Sequence, residues 1–175
     1  MIQREPDLGG IFGTNVFSAQ GAGQVVQNSG LSGVVKVVAF DATELAIELL
    51  KDGTVDLVIA QKPADMGYLA VAMAKAYLDD VASIPKRIPT GYAIITQENV
   101  EDPEIQQDPF YFTMQRGAEL ASANLGSELV VQIPEDWNAT VQTPMLDAMV
   151  ARGDLDFLFL APVDKEAMVA PLQSA

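Results

Sequence analysis

Residues 37–41 (VVAFD) are a short apolar run that ends on one polar side chain. The same arrangement occurs at residues 11–15 (IFGTN) and 57–61 (LVIAQ). Each run is followed by a segment with the spacing of an amphipathic helix, so the pattern is a strand, a polar end and a helix, three times over. This alternation predicts a parallel sheet, because a crossover helix returns the chain to the start of the next strand.

The polar ends of the three runs are Asn15, Asp41 and Gln61. The carboxyl ends of parallel strands lie at one edge of a sheet, and small ligands bind in the crevice along that edge. An amide, a carboxylate and a second amide suit a ligand covered in hydroxyl groups, and the set holds no obvious nucleophile. The alternative is helix capping, since Asn and Asp are good N-caps, whereas Gln is a poor one.

The alternation continues to the end of the chain. We predict strands at residues 8–14, 34–40, 55–60, 91–96, 128–133 and 157–161, and helices at 16–28, 43–51, 63–78, 110–125, 138–151 and 164–173. The β-branched runs at 34–40 and 55–60 are typical of strands buried on both faces. The polar, acidic residues 97–108 are the predicted linker. The predicted fold class is α/β, with a doubly wound, mostly parallel sheet flanked by helices.

Composition argues for a binding protein rather than an enzyme. The 175 residues include 10 basic and 24 acidic side chains, for a net charge of −14, which disfavours nucleic acid and membrane surfaces as partners. The absence of cysteine and histidine removes thiolate chemistry, the commonest general base and the most frequent metal ligand. An enzyme would therefore depend on carboxylates or lysine, and we expect no metal or cofactor.

The sequence shows no membrane-spanning or export signal of its own. No apolar run reaches the roughly 18 residues that a membrane helix needs. The first residues also lack the basic-then-apolar pattern of a signal peptide. If the natural protein is exported, we expect its signal to lie outside this chain.

Three motifs in the first part of the chain carry a family resemblance: residues 13–15 (GTN), 38–43 (VAFDAT) and 59–68 (IAQKPADMGY). Together they resemble the carboxy-terminal lobe of the sugar-binding proteins of ABC transporters. These are the type I periplasmic binding proteins, which are similar to ribose-binding protein. In that family the matching Asn, Asp and Gln form hydrogen bonds with sugar hydroxyls. The resemblance therefore implies this role for Asn15, Asp41 and Gln61.

The last part of the chain resembles the other lobe of the same family. Residues 108–118 (DPFYFTMQRGA) are similar to the start of its first helix, where an aromatic pair packs against the sugar ring. This implies that Phe110 and Tyr111 belong to the site, with Asp108 where Asn is commoner. Residues 129–137 (LVVQIPEDW) and 160–166 (LAPVDKE) resemble the next two strand ends, which adds Asp136 and Trp137 as candidates. Alternatively, the aromatic residues are core or cover the core.

The resemblance also implies an unusual order of segments. Residues 1–105 resemble the carboxy-terminal lobe and residues 106–175 the start of the amino-terminal lobe, so the order is reversed and about half of a family member is absent. We expect a permuted or truncated periplasmic binding protein type I (flavodoxin-like) fold. The two segments either pack as one α/β domain or pair with a second copy in a homodimer that completes the sheet.

The function implied by the resemblance is carbohydrate binding, as the solute-binding component of a sugar ABC transporter. The implied partners are a monosaccharide, pentose or hexose, and the transporter's membrane component, at a periplasmic or extracellular, lipid-anchored location. Binding should be weakened, because much of the second wall of the site is missing. One alternative is the effector-binding domain of a LacI-type repressor, although the DNA-binding helices are absent. A receiver-like signalling domain is another, although its acidic pair and its Ser or Thr strand end are not in the required places.

Overall fold

The structure, a computed structural model, describes residues 4–102 and 110–173. Within these ranges the elements are, in chain order, β1 (Gly10–Gly13), α1 (Val16–Asn28), β2 (Lys36–Phe40), α2 (Glu44–Lys51), β3 (Leu57–Ala60), α3 (Pro63–Leu78), β4 (Ala93–Ile95), α4 (Phe110–Leu125), α5 (Ala139–Ala151) and α6 (Val169–Gln173). The described helices are all too short or too polar to cross a membrane.

The strands form one mixed sheet in the order β1-β2-β3-β4. The pairs β1–β2 and β2–β3 are parallel, whereas β4 runs antiparallel to β3. Each right-handed crossover moves the chain one strand in the same direction, so α1 and α2 lie on one face of the sheet and contact each other. The predicted α/β class with a mostly parallel sheet flanked by helices is therefore confirmed.

The core lies between the sheet and these two helices. On that face the strands bury small and β-branched side chains completely: Val37, Ala39, Val58, Ala60 and Ile95. The opposite face is more open, since Phe12 is 55% exposed and contacts Phe40 edge-on, with 6.4 Å between ring centroids. The strands were predicted to be buried on both faces. They are completely buried only on the face that α1 and α2 cover.

The turn from β1 into α1 depends on Gly13. A Cβ at this position would lie within 2.6 Å of Ala19 in the second turn of α1. The helix therefore packs directly on the end of the strand, and only glycine leaves room for it. This close approach determines where the first residues of α1 begin, next to the carboxyl edge of the sheet.

Four sequence predictions are wrong in this structure: two strands, the start of the last helix and part of the linker. Residues 128–133 and 157–161 form no regular strand, because extended backbone becomes a strand only beside a partner and no described strand pairs with them. The last helix begins at Val169 rather than at residue 164. Residues 97–102, part of the predicted linker, instead pack on the sheet domain: Val100 is buried and Gln97 Nε2 donates to the carbonyl of Leu50 at 2.9 Å.

Contacts divide the chain into two compact units. The first comprises Met1–Met66 and Arg87–Gly117 and contains the sheet with α1 and α2. The second comprises Gly67–Lys86 and Ala118–Ala175 and contains α5 and α6. Each unit combines residues from both sides of position 105, and the assignment of residues 1–105 and 106–175 to two family lobes stays a prediction.

In the second unit, the side chain of a buried glutamine makes two hydrogen bonds to backbone groups. Gln142 in α5 donates from Nε2 to the carbonyl of Ala161 and accepts at Oε1 from the amide of Val163, both at 2.8 Å. In the same unit, the ring of Phe157 contacts the ring of Tyr77 edge-on, with 6.4 Å between the ring centroids. One side chain thus makes hydrogen bonds to the backbone at the end of the predicted strand and just beyond it.

Candidate functional site

The three predicted polar residues lie at the carboxyl edge of the sheet in the first unit. Asn15 is two residues beyond β1, Asp41 directly follows β2 and Gln61 directly follows β3. The three strands are parallel neighbours, so their ends share one edge. The structure therefore places all three residues at the edge that the strand pattern indicated.

Asp41 and Gln61 form a hydrogen-bonded pair. Gln61 Nε2 donates to Asp41 Oδ1 at 2.6 Å, and both residues are half-buried. The backbone amide of Asp41 continues the ladder by donating to the carbonyl of Ile59 at 3.0 Å. A carboxylate has about four lone-pair sites, so one amide donor leaves Asp41 with acceptor capacity for a further donor.

The backbone of Asp41 is in the left-handed region, with φ 74°. This conformation costs most residues with a Cβ roughly 1–2 kcal/mol, is adopted more readily by Asp and Asn, and clusters at active sites and ligand-binding sites. Capping does not explain it, because the N-cap of α2 is Thr43, whose side chain accepts from the amide of Ala46 at 3.2 Å. The capping interpretation is therefore wrong for Asp41, and the left-handed backbone aims its carboxylate towards Gln61.

For Asn15 the capping interpretation is confirmed. Its Oδ1 accepts from the amide of Ser18 at 2.9 Å, and the Ser18 hydroxyl accepts from the amide of Asn15 at 3.3 Å, which completes a capping box. The cap uses the oxygen of the side-chain amide. Among the hydrogen bonds of the described residues, the Nδ2 group of this exposed side chain has no acceptor. Asn15 can therefore cap the helix through Oδ1 and donate to a ligand through Nδ2 at the same time.

Phe110 and Tyr111 open α4 in the first unit and form an edge-to-face pair, with 5.2 Å between ring centroids. Tyr111 is 40% exposed, and partial burial raises the pKa of its hydroxyl. Phe110 is half-buried, so the pair combines one ring that packs inward with one that faces solvent. This arrangement accommodates both the core interpretation and a role as an aromatic wall.

The position of α4 relative to α3 depends on Gly117, which the sequence analysis did not single out. A Cβ at Gly117 would lie 2.0 Å from the carbonyl oxygen of Ala64, in the first turn of α3. Ala64 is three residues after Gln61, and Phe110 is seven residues before Gly117, about 10 Å along a helix axis. The helix crossing thus ties the aromatic pair to the chain segment that carries Gln61. The sequence signal for this close approach was a glycine within a predicted helix, at a position that faces a small residue of another helix.

The other predicted site residues lie either in the second unit or outside the described residues. Asp108 lies outside the described residues. Asp136 and Trp137 belong to the second unit, in the bend before α5, where Asp136 Oδ1 accepts from the amide of Trp137 at 3.1 Å. Trp137 is 59% exposed, which argues against a cover over the core. Their role in ligand binding stays a prediction.

Comparison with known proteins supports the family resemblance in the first part of the chain. Residues 1–81 match the family described as periplasmic binding protein domain. This region contains the first three strands and helices and the residues Asn15, Asp41 and Gln61. The match therefore covers the carboxyl edge of the parallel strands described above.

Individual relatives are sugar-binding proteins. The chain is 30% identical over 102 residues to a xylose/arabinose-binding protein of Sulfolobus acidocaldarius, covering 55% of this chain and 25% of the relative. It is 36% identical over 67 residues to the D-allose-binding periplasmic protein of Escherichia coli, covering 38% and 22%. A crystal structure of a sugar ABC transporter sugar-binding protein from Bacillus halodurans is similar at TM-score 0.51 and 25% identity, covering 57% of this chain and 38% of that one.

These matches confirm the resemblance to periplasmic sugar-binding proteins of ABC transporters and the fold class that it implies. The relatives are binding proteins rather than enzymes, in agreement with the non-enzymatic prediction. The chain spans about a quarter of the length of the curated relatives that it matches.

Proposed function

We propose that this chain is a sugar-binding module of the solute-binding class, which recognises a pentose or hexose without chemical conversion. The observation that carries the proposal is the Asp41–Gln61 pair at the carboxyl edge, held by a 2.6 Å hydrogen bond on a left-handed backbone. The sugar-binding relatives, for xylose or arabinose and for D-allose, support the ligand class.

In the proposed mechanism, each polar side chain acts towards the sugar either as a hydrogen-bond donor or as an acceptor. The carboxylate of Asp41 accepts from a sugar hydroxyl, Gln61 accepts through its Oε1, and Asn15 donates through Nδ2. A buried site group left unpaired by the wrong epimer costs about 1–3 kcal/mol, so these bonds discriminate between sugars. Phe110 and Tyr111 add an aromatic surface for the C–H side of the ring. Asp108, Asp136 and Trp137 remain candidates for the opposite wall.

We further propose that residues 1–105 and 106–175 correspond to carboxy-lobe and amino-lobe segments in permuted order. On this proposal much of the second wall is absent, so the affinity of the chain is weaker than that of a two-lobed binding protein. The proposed physiological partner is the membrane component of a sugar ABC transporter, at a periplasmic or extracellular location. A homodimer that completes the sheet is the alternative to a single packed domain, and the mass in solution separates the two.

The test is an NMR titration with xylose, arabinose and allose, because chemical shifts detect millimolar as well as micromolar binding. We expect one sugar to shift the side-chain amide signals of Asn15 and Gln61, and Asp41→Asn to reduce the effect. Calorimetry gives the affinity when binding is tight enough; a micromolar constant would mean that the loss of the second wall matters less than proposed. A chain whose amide signals respond to none of the sugars would contradict the function.

Two alternatives differ from this proposal in what they require. A receiver-like domain would respond to a small phosphodonor through Asp41, whereas a repressor effector domain would also bind a small effector but would act together with DNA-binding helices. The sugar-binding relatives favour the transport class over both.

A further inference from the structure

A tyrosine next to the Asp41–Gln61 pair has no role in the function proposed so far. Strand β4 runs antiparallel to β3, with Ala93 opposite Ala60. Tyr92 directly precedes Ala93 in the chain, and Gln61 directly follows Ala60. Both residues therefore adjoin the Ala60–Ala93 pair, which places the tyrosine at the same edge of the sheet as the polar pair.

Packing does not account for this tyrosine. Tyr92, directly before β4, is 64% exposed, although Ile95 in that strand is completely buried. Alternation along the strands gives Tyr92 and Gln61 the same side as the Ile59–Ile94 pair, which is the more open face of the sheet. A large aromatic ring is thus present at the rim of a polar site, on the residue that leads into β4, with most of its surface exposed.

We propose that Tyr92 is a further ligand-contacting residue, which supplies an aromatic surface and a hydroxyl beside the Asp41–Gln61 pair. The chemistry suits a monosaccharide with one C–H face for the ring and outward hydroxyls for the phenol oxygen. A tyrosine makes such a surface at low entropic cost, since only two side-chain torsions are fixed. The inference rests on the proposed sugar-binding function and extends it to specificity: sugars with a hydroxyl pointing at the ring are disfavoured.

The experiment compares three variants in the full chain, titrated with xylose, arabinose and allose. Tyr92→Ala should weaken binding of the preferred sugar about three- to tenfold, as expected for one aromatic contact. Tyr92→Phe keeps the ring and should stay within about threefold of the wild type. Tyr77→Ala is the matched control, because Tyr77 is a comparably exposed tyrosine (53%) in the other unit and should leave the affinity unchanged.

A second measurement needs no variant: saturation of the Tyr92 ring protons in the wild-type chain should transfer to the C–H protons of bound sugar. Unchanged affinity in Tyr92→Ala together with no such transfer would overturn the role of Tyr92. If the wild type binds sugar and Asp41→Asn alone loses it, the sugar-binding function stands without Tyr92. If the wild type binds none of the sugars, both proposals fail.

Discussion

Gln61 donates from Nε2 to Oδ1 of Asp41 at 2.6 Å, across the carboxyl ends of two neighbouring parallel strands. The bond joins residues that are 20 positions apart in the chain and orients both side chains at once. The Gln61 carbonyl is thereby turned away from the carboxylate, and the other oxygen of Asp41 stays available. The pair presents two acceptors to a hydroxyl-rich ligand.

The left-handed backbone at Asp41 predicts an unusual order of stability for two substitutions. Both Asp41→Ala and Asp41→Gly lose the hydrogen bond, but only alanine keeps a Cβ at φ 74°. We expect the glycine variant to be more stable than the alanine variant by about 1 kcal/mol in urea unfolding. Equal stability, or a more stable alanine variant, would contradict the left-handed conformation. Both variants should lose sugar binding.

The donor and acceptor of the Asp41–Gln61 hydrogen bond can be exchanged as a test of its geometry. Gln61→Glu sets a second carboxylate against Asp41, so we expect a loss of stability at neutral pH that shrinks below about pH 5, where a carboxylate is protonated. The double variant Asp41→Asn/Gln61→Glu restores one donor and one acceptor. A double-mutant cycle should show a coupling of about 1 kcal/mol or more; additive effects would mean that the two side chains do not interact.

The crossing of α3 and α4 should tolerate no side chain at Gly117. Gly117→Ala places a Cβ 2.0 Å from the Ala64 carbonyl oxygen, so we expect a loss of about 1–3 kcal/mol and shifted ring signals of Phe110 and Tyr111. Gly21→Ala is the control, because that glycine is exposed in α1 with nothing within 4 Å of an added Cβ.

The control should gain about 0.5–1 kcal/mol, the usual benefit of alanine over glycine inside a helix. A Gly117→Ala variant as stable as Gly21→Ala would show that the two helices do not approach closely at this point.

Gln142 should protect the backbone that it bridges. Gln142→Leu keeps the approximate volume but removes both hydrogen bonds, so the amide of Val163 should exchange with deuterium markedly faster. We expect a stability loss of about 1–2 kcal/mol from the unpaired backbone groups. Asp147→Ala, at an exposed position of the same helix, should change stability by less than about 0.5 kcal/mol and leave that exchange unaffected.

Asp164 should make the turn before α6 sensitive to acid. Hydrogen bonds from the amides of Ala167 and Glu166 lower the pKa of its carboxyl group. A lowered pKa in the folded state means that the stabilisation is present above the unfolded value of about 3.9 and disappears as the pH falls through the folded value. An NMR titration of the carboxyl carbon checks the direction. Asp164→Ala should remove this acid-dependent part, and an unshifted titration would contradict the two hydrogen bonds.

Local patterns in the sequence were sufficient for the elements from β1 to α3. Apolar runs that end on a polar residue, together with Thr43 as a cap, indicated the parallel strands and the helices between them, because these signals depend on neighbours within a few residues. The family motifs lie in the same region and indicated Asn15, Asp41 and Gln61 as an edge set. The segments at residues 128–133 and 157–161 have equally apolar composition, yet pair with no described strand.

The sequence by itself therefore determined the α/β class, the order of the first elements and the residue types at the carboxyl edge, since periodicity, caps and strand ends are local properties. Only the tertiary structure decided which residues meet. The left-handed backbone of Asp41, its bond to Gln61, the antiparallel pairing of β4 with β3 and the Gly117–Ala64 approach all depend on contacts between distant parts of the chain. Composition and spacing do not reveal such contacts, because they join residues that are far apart in the chain.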